Sequence, residues 1–476
     1  MATISNPRIA IIGGGIAGLS AAWQVRQSAP AAQVALFEAQ SHLGGTLRTE
    51  VVTPSDSSAS FLVEHSADMF LSQPAAAVQL CEEIGIADQL IKPNPEQRYS
   101  YVVGKGDLLK IPTGFALMAP AKIMPVLSSP ILSWQGKLRF LAERFVKART
   151  ATDDESLRSF AVRHYGEEVF QKLIQPLVAG IYSADANELS IHATLDRFVR
   201  MEAEHGSLIK AARAARQKAA AESAGARYSL FFTPKAGMQS VVDAMVAQMP
   251  DVTFRTDTCI ESIRRNQNWE VTLKDQTEQF DAVILTTRAN SSASLLENVN
   301  QELESTLNSF QFGSMVVVCI GCRENSFPNG MPTGFGFVVP EIENRDIIAC
   351  SFSSNKFEQR APAGHFLMRC FIGGSQASRW VTASDDELIE TARRELQDLI
   401  DYQPGDHDFY RVMKWQSCMP QYLVGHQAKV QQVRDLTAKQ QGLELAGCSY
   451  SGVGIPACIQ SGREAAERVL GSLTLC

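Results

Sequence analysis

Gly13, Gly15 and Gly18 follow the short apolar run Arg8–Ile12 at the spacing G-x-G-x-x-G, and a helix-like stretch, 19–26, follows them. Each glycine has its own task in a turn that holds phosphate. Gly13 makes the tight bend, Gly15 lets backbone approach a pyrophosphate, and Gly18 lets the new helix pack on the strand. Gly14, Ile16 and Ala17 complete the same cradle, at the helix end whose free N–H groups and dipole favour anions. A second apolar run, 33–37, ends in Glu38, twenty residues after Gly18 and followed by Ala39. A carboxylate there accepts hydrogen bonds from a ribose diol and repels a 2′-phosphate, so the expected ligand is a dinucleotide other than NADP.

FAD and NAD share this half of a site, and two further segments separate them. Gly44-Gly45-Thr46-Leu47-Arg48 resembles the second signature of FAD enzymes of the amine-oxidase and phytoene-desaturase group, which implies that Gly45 and Thr46 pass close to the cofactor. Near the other end, residues 443–446 read as a strand, Gly447 as its turn and Gly452-Val453-Gly454-Ile455-Pro456 as a tight loop. Pro456 is expected at the first position of a helix over 457–470, because its fixed φ suits a helix start. Val453, Gly454 and Ile455 then face the anionic pyrimidine edge of a reduced flavin with a helix N-terminus. The chain is expected to begin and end in one FAD domain.

The whole chain resembles the oxygen-dependent protoporphyrinogen oxidase family and its bacterial coproporphyrinogen-oxidase branch. Besides the FAD motifs, the resemblance is carried by Glu64-His-Ser-Ala-Asp-Met-Phe70, Gln97-Arg-Tyr-Ser-Tyr-Val102 with Leu109-Lys-Ile-Pro112, and Leu177-Val-Ala-Gly-Ile-Tyr-Ser-Ala-Asp185. It continues in Thr233-Pro-Lys-Ala-Gly-Met-Gln239, Gly334-Phe-Gly-Phe-Val-Val-Pro340, Trp415-Gln-Ser-Cys-Met-Pro-Gln-Tyr422 and Gly452-Val-Gly-Ile-Pro-Ala-Cys-Ile459. No single segment is diagnostic; eight in order are. The resemblance implies bound FAD, with His65, Ser66, Ala67, Asp68 and Trp415 on the cofactor side and Cys259 beside the adenine. It implies a porphyrinogen substrate and molecular oxygen as acceptor, with hydride leaving a meso carbon for flavin N5. The protein then supplies position and field rather than an acid–base residue. Arg98 is implied to fork onto a propionate, Gly180 to let the macrocycle approach, and Phe335 and Phe371 to sandwich it. His65 stands where the family usually has Gly, Ser183-Ala184 where it has Ala-Gly, and Thr46 where a basic residue often follows the glycine pair.

These residues need large supporting elements. The 476 residues allow two to four domains, and 45% apolar with 20% charged residues suits buried cores. The expected fold is α/β and α+β. It has a discontinuous Rossmann-like FAD domain (1–76, 228–288, 415–476), a substrate domain with a mixed or antiparallel sheet (77–111, 289–414), and a helical domain (112–227). Strands are expected at 253–260, 269–273, 281–287, 314–320, 336–339, 347–352 and 366–372, and an amphipathic helix at 385–401. The basic, Ala-rich stretch 207–227 reads as a solvated helix, with a membrane-surface face as the alternative; the resemblance likewise implies a helical region that touches membrane, and it leaves a homodimer open. The net charge of −7 argues against nucleic-acid partners. Met1–Arg8 lacks the pattern of an export signal, and ten scattered cysteines read as reduced core residues, so a cytoplasmic protein is expected. Cys319-x-x-Cys322 lies in an apolar run with no second pair, so no metal is expected. A carotenoid desaturase or amine oxidase shares both glycine motifs but gives no reason for Arg98 or Gly180-Ile-Tyr182. A flavin scaffold without activity finds no broken motif. The single arginine at 98 leans towards protoporphyrinogen over coproporphyrinogen, which carries two more propionates.

Overall fold

Arg8–Ile12 is the central strand of a five-stranded sheet ordered Thr253–Arg255, Gln33–Phe37, Arg8–Ile12, Ala282–Leu285, Leu443–Leu445. Every pairing in it is parallel. Parallel sheets are covered on both faces, which is why the three inner strands are apolar runs buried at almost every residue. The computed structural model describes residues 6–54, 60–151, 153–182, 184–222, 231–374 and 377–474. On one face lie helices Ile16–Ser28 and Ile455–Thr474, which cross closely because Gly462 lies on Ala17; a Cβ at Gly462 would overlap the Ala17 carbonyl. The other face packs on an antiparallel layer, Ile260–Arg265, Trp269–Leu273 and Gln276–Phe280.

A second sheet has seven strands in the order Phe409–Pro420, Phe312–Arg323, His365–Ile372, Ile347–Phe352, Gly336–Val338, Tyr101–Gly104, Asp107–Lys110. Gly336–Val338 is parallel to Tyr101–Gly104 and the other pairs are antiparallel. Alternation along His365–Ile372 decides what each face sees. Phe366, Met368, Cys370 and Ile372 pack beneath helix Asp385–Ile400, whose Ser384 cap accepts the Glu387 N–H at 3.2 Å. Leu367 joins Val52, Phe61 and Val63 on the opposite face, with Phe371 packed against them. Cys319 and Cys322 fall on opposite faces of their strand, so their thiols cannot share an ion.

The third unit is helical, with Trp134–Leu141, Leu157–Tyr165, Gln175–Tyr182, Ile191–His205 and Leu208–Glu222 around one apolar core. A buried polar knot ties it together. Glu143 accepts from Ser207 Oγ at 2.6 Å and the Leu208 N–H at 2.7 Å, and faces His164 Nδ1 at 3.0 Å. His164 Nε2 in turn lies 3.2 Å from Glu202.

Several boundaries differ from expectation. The run 253–260 is two strands with a break at Thr256–Cys259, where Asp257 takes a φ of 51° and the chain turns to bond Glu38 and Gln40. Residue 415 lies inside the strand Phe409–Pro420, and the apolar side of helix Ala76–Glu83 packs into the nucleotide unit's core. The last helix begins at Ile455 and ends at Thr474, because Cys458 N–H already bonds the Gly454 carbonyl at 3.0 Å. Pro456 is then its second residue, still within the first turn where no N–H is needed. Leu208, Ile209, Ala211 and Ala212 are buried, so the start of the basic helix offers no apolar face to a membrane. The exposed large apolar side chains among the described residues of this unit are instead Met124, Trp134, Leu138, Phe145 and Ile181. Residues 223–227, the expected domain start at 228, and Ser183 lie outside the described residues. Among the described residues no helix is long and apolar enough to cross a membrane.

Candidate active site

The glycine turn has the geometry its spacing predicts. Gly13 holds a φ of 110°, which few other residues tolerate, and donates its N–H to the Phe37 carbonyl at 2.8 Å. A Cβ at Gly18 would overlap the Gly13 carbonyl, so close packing of helix on strand needs glycine there. Gly15 differs from both: its φ is −70°, and an added Cβ would meet no protein atom within 4 Å. Open space above Gly15, at the N-terminus of a 13-residue helix, is the room that a pyrophosphate needs.

Four other segments converge on this turn. Gly44 pairs with Gly15 and donates to the Gly14 carbonyl at 2.8 Å, so Gly45 and Thr46 cross beside the cradle. Glu38 Oε2 accepts the Gly14 N–H at 2.7 Å and Oε1 the Gln40 N–H at 2.8 Å. It therefore braces the loop, and its remaining lone pairs could accept from the hydroxyls of a bound ribose. Thr258 N–H bonds the Glu38 carbonyl at 2.9 Å, which sets exposed Cys259 beside Glu38 and Ala39. His65 N–H bonds the Arg48 carbonyl at 2.9 Å, Ser66 Oγ donates to the Thr46 carbonyl at 2.5 Å, and Trp415 Nε1 reaches the His65 carbonyl at 3.1 Å. Val453, Gly454 and Ile455 lead into the helix that packs on Ala17.

Charge is concentrated under residues 64–68. Asp68 is buried, yet Lys356 at 3.2 Å and Arg369 at 3.5 Å outweigh the penalty of burial and hold its carboxyl below the usual range. Glu64 is also buried, and there burial wins: its pKa is raised despite hydrogen bonds from Met238 N–H and Thr49 Oγ1. His426, next to the Trp415 motif, stacks on Tyr422 at 4.1 Å between centroids. Burial, with Lys429 nearby, pushes its pKa down to about 4, so it is a neutral packing residue at physiological pH.

On the substrate side, two backbone ties join the loop of Arg98 to that of Phe335. Gly334 N–H donates to Gln97 Oε1 at 2.6 Å and Phe335 N–H to the Tyr99 carbonyl at 2.7 Å. Arg98 itself is exposed and forms no hydrogen bond or ion pair among the described residues. A Cβ on Gly180 would find only Val338 Cγ1, at 3.8 Å, so no bulk separates this helix from the sheet. Phe371 pairs with Val317 and Ala349 in the sheet. A cleft of about 570 Å³ opens between Phe170–Gln175 and Glu341–Asn344. A second one, sharing Gln175 and Glu341, continues past Ala179 to Gly373.

Sequence reasoning missed Thr286, whose hydroxyl donates to the Gly13 carbonyl at 2.8 Å from the end of the neighbouring strand. It also missed Lys356, Arg360 and Arg369. Their signal was present: Arg369 is a lone charge in the run Phe366-Leu-Met-Arg-Cys-Phe-Ile372.

Residues 16–470 match the family of flavin-containing amine oxidoreductases. The chain belongs to that family. It is an FAD-dependent oxidoreductase, and the open cradle at Gly15 with Glu38 beside it fits the cofactor. The chain is 30% identical over 478 residues to coproporphyrinogen III oxidase of Staphylococcus aureus, covering 98% of this chain and 99% of the relative. To human protoporphyrinogen oxidase it is 27% identical, covering 98% of each. A crystal structure of a provisionally assigned protoporphyrinogen oxidase from Exiguobacterium sp. 255-15 superposes with a TM-score of 0.85 at 25% identity, covering 98% of each chain. These relatives are of the group that the motifs resemble.

Proposed function

We propose that the protein oxidises a porphyrinogen to the porphyrin in haem biosynthesis, with oxygen as final acceptor and peroxide as by-product. The observation that carries this reading is the end-to-end match to porphyrinogen oxidases, at 97–98% coverage of this chain. The substrate side supports it physically. Arg98 is a guanidinium unpaired among the described residues, on a loop tied to Phe335, and Gly180 leaves the face of its helix bare towards Val338. A large flat ligand with carboxylate arms needs both, a cation at its rim and clearance over its plane. Bound FAD supplies the hydride acceptor; the chain's own residues place the meso carbon and exclude bulk water.

Protoporphyrinogen IX is the first reading of the substrate, because the recognition loop offers one arginine. Coproporphyrinogen III is the second, favoured by the higher identity to the S. aureus enzyme than to the human one. Steady-state rates on the two porphyrinogens, followed by the appearance of porphyrin fluorescence, separate them. The first reading expects kcat/KM for protoporphyrinogen to exceed that for coproporphyrinogen by tenfold or more. The reverse order transfers the assignment to coproporphyrinogen, and activity on neither removes both.

A further inference from the structure

Three cations and two carboxylates are buried together where the seven-stranded sheet meets residues 64–68. Lys356, Arg360, Arg369, Glu64 and Asp68 are each less than 10% exposed. The cluster therefore carries at least one net positive charge, and more if Glu64, whose burial favours the neutral form, takes up a proton. Arg369 and Lys356 both address Asp68, and Arg369 donates to the Ser66 carbonyl. Arg360 is spent on the segment 233–235, donating to Thr233 Oγ1 at 2.9 Å and to the Lys235 and Pro234 carbonyls at 3.0 and 3.1 Å. Among the described residues the Nε atoms of Arg360 and Arg369 have no oxygen or nitrogen acceptor, though the Arg369 guanidinium also lies by the Cys319 thiol. An excess positive charge in a dry site is costly unless an anion completes it, and the described residues supply none. The Arg369 guanidinium lies 5.3 Å from the centre of the Phe371 ring, on the sheet face turned towards His65–Asp68.

We propose that Lys356, Arg369 and Asp68 are positioning residues that hold Ser66–Asp68 against the flavin and bias it, by their net charge, towards its reduced, anionic form. A cation near the ring favours the added electron pair, and a carboxylate opposes it. This rests on the placement of residues 65–68 at the cofactor, and it assigns a role to charges that substrate recognition does not use.

The test is the two-electron reduction potential of the FAD-loaded protein, measured for wild type, Lys356→Met and Asp68→Asn. Lys356→Met is expected to lower the equilibrium constant for reduction at least tenfold, a fall of about 30 mV for a two-electron couple. Asp68→Asn is expected to raise it. A merely structural cluster moves both variants the same way or neither, and either result overturns the proposal. If Lys356→Met does not fold, the near-isosteric Asp68→Asn decides alone: an unchanged or lowered potential is the overturning result. Wild-type protein that takes up no FAD sinks the proposed function as well, whereas bound FAD with same-sign shifts sinks only this inference.

Discussion

Gly15→Val should give a folded but colourless protein. The fold gives no reason for glycine at this position: the backbone is in the ordinary extended region, and a Cβ meets nothing. The space it would fill is the space above the helix N-terminus, where the pyrophosphate needs direct backbone contact. A branched side chain there removes that contact without straining the turn. FAD affinity is expected to fall at least hundredfold, about 2.8 kcal/mol, with thermal stability of the apo protein within a few degrees of wild type. Flavin absorbance of the purified protein and titration of the apo form with FAD check this. Gly18→Val is the contrast, since its side chain would overlap the Gly13 carbonyl and should unsettle the fold itself.

Arg98→Ala should raise KM far more than it lowers kcat, because a propionate clamp acts on ground and transition states alike. Loss of a charge-assisted bidentate pair is worth about 1.5–3 kcal/mol, or roughly ten- to hundredfold in kcat/KM. Flavin content should not change, since Arg98 lies on the loop joined to Phe335 and forms no hydrogen bond with the glycine turn among the described residues. Arg98→Lys keeps the charge but loses the fork, and should fall between wild type and alanine. Kinetics within twofold of wild type for Arg98→Ala would make it an ordinary surface residue.

The nucleotide unit was legible because its parts are local. A strand, three glycines and an acid at fixed spacing determine one another over some thirty residues, and the strands beside them are apolar throughout. The strands at 269–273 and 281–287 were legible for the same reason, by alternation and β-branched content. What stayed hidden is what long-range contact decides. Thr286 is an unremarkable threonine until the sheet places it on Gly13, 273 residues away. Lys356 and Asp68 are 288 residues apart in the chain and meet only when the segment after Phe61–Glu64 packs on the seven-stranded sheet. The basic helix 208–222 looked amphipathic, but which side of it is buried depends on neighbours such as Glu143, which binds its first N–H groups. The break at Thr256–Cys259 was missed because β-propensity runs on through it, and the turn that binds Glu38 overrides that propensity.

The most direct measurement is anaerobic mixing of the FAD-loaded protein with one equivalent of a porphyrinogen, watching flavin absorbance and porphyrin-type fluorescence together. The account predicts that the oxidised-flavin band bleaches as the macrocycle loses hydrogen, and that admitting air restores the band and carries the substrate on to the fluorescent porphyrin. A flavin that stays oxidised with either porphyrinogen, in protein that is yellow and folded, would contradict it.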